Sequence, residues 1–138
     1  MQIIGFNFEK IQAERKNPSK EKIQVKSNIN IISIEQEKLD IVKSQETLKF
    51  NFDFSVEYTE MANISLKGFV LMLLEKEKAK DVLTKWKKKK ISDEVRILLF
   101  NFILTKCNIR ALQLEEELGL PSHVPLPRIS QQQTSYTG

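Results

Sequence analysis

Residues 48–58 alternate without a break. Leu48, Phe50, Phe52, Phe54, Val56 and Tyr58 are apolar, and Lys49, Asn51, Asp53, Ser55 and Glu57 between them are polar. A period of two sends successive side chains to opposite faces of a strand, so this segment has one dry face and one wet face. That is the pattern of a half-buried antiparallel strand. Six such side chains at roughly 1.5–3 kcal/mol each make about 9–18 kcal/mol of gross burial, so the dry face requires a cover.

The flanking segments supply the rest of a sheet. Over residues 4–15, Ile4, Phe6 and Phe8 hold one phase, and Ile11 and Ala13 hold the other. The slip predicts a bulge near Glu9-Lys10. Asn17-Pro18-Ser19-Lys20 reads as a turn. A second strand is expected over 23–34, with Ile23, Val25, Ile29 and Ile31 in one phase and Ile32 and Ile34 in the other. Residues 35–46 are charged and read as a loop tacked down by Leu39, Ile41 and Val42. Residues 59–62 are short enough to close a hairpin into a fourth strand over 63–74. The distal half of that strand, around Phe69, Leu71 and Leu73, is apolar on both faces.

The period then becomes helical. Ala79, Val82, Leu83 and Trp86 stand at i, i+3, i+4 and i+7. A long helix is predicted over 93–118, with Ser92 as N-cap, Asp93 and Glu94 in the first turn, Gly119 beyond its end and Pro121 behind that. This helix is apolar on two sides. Val95, Leu98, Leu99, Phe102, Ile109 and Leu112 mark one. Ile97, Phe100, Leu104, Cys107, Ala111, Leu114 and Leu118 mark the other. One side suffices to cover a sheet. The second predicts an oligomer interface made by Ile97, Phe100, Leu104, Cys107, Ala111 and Leu114, most simply against another subunit. The fold class is therefore α+β, a four-stranded antiparallel sheet followed by a long C-terminal helix. Residues 1–130 are expected to form one domain and 131–138 a disordered tail.

Composition narrows the function classes. The 138 residues are 41% hydrophobic and 29% charged, a globular balance. No uninterrupted apolar run reaches the roughly 20 residues of a membrane span, and the N-terminus lacks the charge pattern of a signal peptide. One cysteine forbids an internal disulfide. These features together point to the cytoplasm.

The residues offer no recognisable catalytic site and no cofactor motif. None of the four glycines forms a phosphate-cradling loop. His123 is the single histidine and reads as a surface residue of an extended tail, which makes a metal site improbable. Glu115-Glu116-Glu117 reads as a solvated helix end. Lys85-Trp86-Lys87-Lys88-Lys89-Lys90 carries the residue types that grip nucleic acid. The simpler account is that Trp86 completes the helical stripe and the lysines favour the C-terminal end of that helix. At a net charge of +4, with Lys and Glu interspersed, nucleic acid is not the expected partner.

Taken in order, bulged strand, strand, loop, hairpin, long helix and proline-containing extended segment resemble the SecB-like fold of export chaperones, and more closely the small archaeal proteins of that superfamily. Residues 48–58 and 64–74 look like the central hairpin. Residues 93–118 look like the long helix, and Leu120-Pro121 and Pro125-Leu126-Pro127 look like the segment after it. In that family, dimers pair into tetramers with the long helices between two sheets, and the proteins hold unfolded polypeptides before export without ATP. The resemblance implies an ATP-independent holdase, a homodimer or homotetramer binding unfolded clients, with no catalytic role, no cofactor and no membrane insertion. Lys49, Asn51, Asp53 and Glu57 would form its outer surface.

Client contacts are expected, from apolar residues in loosely constrained segments, at Ile32, Ile34, Leu120, Val124, Leu126 and Ile129; their alternative role is core or subunit packing. Two departures stand out. Bacterial members dock a translocation motor through an acidic sheet, whereas this chain is basic. Their second helix is also missing here, since a polar tail follows Ile129. Other members guard an antitoxin. A nucleic-acid binder using residues 85–90 and a structural subunit of a larger complex remain the alternatives.

Overall fold

The computed structural model describes residues 1–16, 22–38 and 44–127. The expected turn at 17–20, the loop residues Leu39, Ile41 and Val42, Ile129 and the tail 131–138 lie outside them. Four strands form one antiparallel sheet: β1 (Gln2–Arg15), β2 (Val25–Glu37), β3 (Gln45–Tyr58) and β4 (Ala62–Glu75), in the order β1-β4-β3-β2. Helix α1 (Lys76–Trp86) continues directly from β4, and α2 (Asp93–Glu117) follows after a short link. Helix α1 lies against β2, β3 and β4, and α2 against β4.

The alternation of β3 is honoured in full. Leu48, Phe50, Phe52, Phe54, Val56 and Tyr58 are each at most 1% exposed. Their β4 partners across the same face are Met72, Val70, Gly68, Leu66, Ile64 and Ala62. The opposite face keeps Lys49, Asn51, Asp53 and Ser55 half-buried and Glu57 exposed, as the outer surface of the sheet. Half-buried Phe69 and Leu71 and buried Leu73 share that face, and Lys49 Nζ lies 4.5 Å above the Phe69 ring.

Phase slips in the sequence become bulges. Glu9 is the unpaired residue between Phe8↔Gly68 and Lys10↔Lys67, and Ile32 is the unpaired residue between Ile31↔Phe52 and Ser33↔Asn51. A further bulge at Ile4 was not foreseen. It returns Phe6 and Phe8 to the inner face, where Phe6 stacks on Phe52 at 5.7 Å and meets Phe102 of α2 at the same separation. Gly68 makes this possible. A Cβ there would stand 2.1 Å from the Asn7 carbonyl oxygen, so β1 approaches β4 closely only because the residue is glycine.

Helix α2 covers the sheet with a ridge spaced by four: Val95, Leu99, Ile103, Cys107 and Ala111, joined by Leu114. By length and composition alone it is apolar enough to cross a membrane, which the count of uninterrupted apolar residues missed. Here its ridge instead closes the core. Burial pushes the Cys107 thiol up to about 12, leaving it protonated and inert. Ser92 is the N-cap residue but makes no side-chain capping bond. The C-terminus is closed more firmly. Gly119 takes φ +63°, Leu120 N–H donates to Glu115 C=O at 2.8 Å, and Gly119 N–H donates to Glu116 C=O at 3.3 Å. Arg15, at the end of β1, donates to the Leu118 and Gly119 carbonyls at 2.7 and 3.0 Å.

Candidate functional site

Three features built on this frame concern function, and the first is the outer side of α2. The side expected to meet another subunit is half internal: Cys107, Ala111 and Leu114 are buried in the chain's own core, and Phe100 and Leu104 are half-buried at its margin. The reason is geometric. A ridge of i+4 steps drifts around the helix by about 40° per step, so a cover four steps long takes residues from both stripes. The apolar side facing outward is made by Ile97, Leu98 and Ile109, with half-buried Phe102 beside them. Ile97 is 56% and Ile109 55% exposed. Met1 of the chain end lines the same shallow depression as Ile97, Leu98, Phe102 and Thr105.

The second feature lies at the β2 edge. Ile29 and Ile31 of β2, Trp86 of α1, Ile91 of the link and Phe100 of α2 enclose an apolar cleft of about 350 Å³. Asn30, Lys89 and Arg96 complete its lining. The bulge beside it turns Ile32 out to 48% exposure while Ile34 returns to the core at 8%. Ile34 therefore packs in the chain's own core, because the single extra residue at Ile32 reverses the phase. Strands β1 and β2 end the sheet on either side, and among the described residues their outer backbone edges pair with no strand.

The third feature is the segment after α2. His123, expected on the surface, has a side chain 1% exposed, and Glu115, expected in solvent, is 2% exposed. His123 Nδ1 lies 2.9 Å from both Glu115 carboxylate oxygens, and its backbone N–H donates to Oε2 at 3.2 Å. Its Nε2 lies 2.8 Å from Asn108 Oδ1, and its ring meets Phe54 edge-on at 5.9 Å. The Tyr58 hydroxyl faces the Glu115 carboxylate and the Pro121 carbonyl, the latter at 2.6 Å. Carboxylate, imidazole and phenol are the residue types of acid–base chemistry. Here their polar atoms are engaged by one another and by the Asn108 and Pro121 oxygens. The cluster is a latch that ties the post-helix segment to β3 and α2.

The latch explains the fate of the tail residues expected to meet clients. Leu120 is buried at 9%, held by its N–H bond to the helix end. Val124 is half-buried and Leu126 is 53% exposed. Among the described residues, no group of three or more His, Cys, Asp and Glu is placed to hold a metal.

The latch gives a pH dependence. Burial, then the hydrogen bond and the charge of Glu115, raise the Tyr58 phenol well above its ordinary 10.0. The unfolded phenol ionises near that ordinary value, so this contribution to stability is complete below about pH 10 and is lost as pH rises beyond it. Denaturant midpoints should fall above pH 10 in the native sequence and fall less in Tyr58→Phe. Equal profiles for the two proteins would remove Tyr58 from the account.

No family model matches the chain, and no curated protein matches it. A solved structure does. The SecB-like chaperone Rv1957 of Mycobacterium tuberculosis, in complex with a ChAD peptide from the Rv1956 HigA1 antitoxin, aligns over 94% of this chain and 91% of its own, with a TM-score of 0.51 and 13% identity. At that identity the likeness is one of fold, and the chain has the SecB-like α+β fold.

Proposed function

We propose that this protein is an ATP-independent holdase that binds unfolded polypeptides as a homo-oligomer. The observation that carries the reading is the presence of two strand edges that, among the described residues, pair with no strand, together with apolar side chains left in solvent. Strands of 14 and 13 residues close the sheet on its two sides. Open edges of this length offer main-chain hydrogen bonds to any extended chain, and natural monomers cover or blunt them. Ile32 stands on one such edge, and Leu126 stands on the segment after α2. Weak contacts of this kind, repeated along a client and across several subunits, hold a chain firmly yet release it.

The fold likeness supports the same reading, since the matched protein is a SecB-like chaperone bound to a peptide of a partner. The outer side of α2 is assigned to a second copy, through Ile97, Leu98 and Ile109 rather than the buried Cys107, Ala111 and Leu114. Val124 and Leu126, with Ile32, are assigned to clients.

The test is suppression of aggregation of several chemically unfolded proteins, read by turbidity. The native protein should suppress it without ATP at near-stoichiometric ratios. Ile32→Asp with Leu126→Asp should weaken suppression several-fold, because both side chains are exposed and their replacement leaves the core intact. No suppression of any client by the native protein would defeat the reading.

A further inference from the structure

We propose that the cleft between β2 and the end of α1 takes an extended polypeptide segment whose apolar side chain is flanked by carboxylates. This rests on the polypeptide-binding reading and adds a charge preference to it. The floor is apolar and partly aromatic, from Ile29, Ile31, Trp86 and Phe100. The rim is cationic. Lys89 and Arg96 stand in the cleft lining, and Lys87, Lys88 and Lys90 are the chain neighbours of Lys89. Among the described residues none of these four lysines pairs with a carboxylate. Of the acids bonded to lining residues, Asp93 accepts from Arg96 at 3.1 Å and Asp53 from Asn30 at 3.2 Å. Positive charge therefore remains beside an apolar floor, next to a strand edge that among the described residues pairs with no strand. That combination is complementary to an apolar–acidic peptide and repels a lysine-flanked one.

Lys89 adds an independent observation. Its φ is +58°, a left-handed conformation that glycine takes at little cost and lysine does not. Lys90 N–H donates to Lys85 C=O at 3.1 Å across it, so the turn that ends α1 is closed where glycine is usual. Lys89 Nζ lies 4.5 Å above the Trp86 ring, and both residues line the cleft. A base stacked on that ring face would have to displace the lysine, whereas an apolar side chain has Ile29, Ile31 and Phe100 to rest on. The observations thus favour a peptide over RNA.

Trp86 is the single tryptophan, so its fluorescence reports on the cleft directly. Two synthetic peptides share one apolar centre, flanked in one by Asp and Glu and in the other by Lys. The acidic peptide is expected to bind about tenfold more tightly at low salt, with the difference shrinking at high salt. Lys89→Gly should raise the melting temperature, because it relieves the backbone, and should reduce the acidic preference.

Equal binding of the two peptides overturns the charge preference and leaves the holdase reading standing. Silence of Trp86 toward both peptides, in protein that still suppresses aggregation, places clients elsewhere and overturns the cleft. Silence together with no suppression removes the holdase reading as well. Displacement of the acidic peptide by a single-stranded RNA oligomer that itself quenches Trp86 overturns the proposal in favour of nucleic acid.

Discussion

Replacing Glu115 with alanine is expected to lower stability by about 3 kcal/mol. The carboxylate is 2% exposed and serves the Tyr58 hydroxyl, the His123 ring and the His123 backbone N–H at once. Truncation leaves the His123 Nδ1 and the His123 backbone N–H buried without their carboxylate partner, and such a loss costs far more than an exposed ion pair is worth. Glu115→Gln keeps the shape and an acceptor oxygen, so its loss should be smaller. Equilibrium unfolding in urea gives both values. Freed of the latch, residues 121–127 of the alanine variant should also become a site of limited proteolysis under native conditions. A loss below about 1 kcal/mol, with the segment still resistant, would mean that the latch is not what holds it.

Gly68→Ala is expected to be comparably severe, at about 3 kcal/mol, by a different cause. The added Cβ would meet the Asn7 carbonyl oxygen at 2.1 Å and the Phe8 Cα at 3.0 Å. Both belong to backbone, so no side-chain rotation relieves the clash and β1 must move away from β4. Phe6 and Phe8 would leave their places against Phe52 and Phe102 with it. Amide hydrogen exchange separates this outcome from general destabilisation. Protection should collapse along β1 while the central β3 amides stay slow. Unchanged exchange in β1 would show that the strand accommodates the methyl group.

Much of the fold could be read from residue order because it rests on local periodicity. Strand β3 shows the reason: six apolar side chains at period two permit one register, since a slip of one residue would turn all of them outward. The same logic placed a bulge near Glu9-Lys10, and the change of phase after Ile31 coincides with the one at Ile32. It missed the bulge at Ile4, where Ile3 and Ile4 are both apolar and no phase change shows.

The two sides of α2 were harder. A helix apolar most of the way round does not say which arc faces the sheet, and here the i+4 ridge from Val95 decided it. That ridge also carried the missed signal. Val95, Leu99, Ile103, Cys107 and Ala111 lead, one step further, to Glu115. A carboxylate on a buried ridge requires partners, which turns attention from a solvated Glu run to a buried one. The identity of those partners was not legible. Tyr58 and His123 meet Glu115 only through tertiary packing, 57 and 8 residues away.

The central claim is that sheet edges with no strand partner among the described residues, and an outward apolar helix side, make this chain an oligomer that holds polypeptides. It is tested most directly by solution mass from light scattering, with and without an unfolded client that does not itself aggregate. The account predicts a multiple of the 16.1 kDa chain mass that rises by the mass of bound client. Ile97→Asp with Ile109→Asp should lower that multiple while leaving the fold unchanged. A single-chain mass that ignores the client would contradict it.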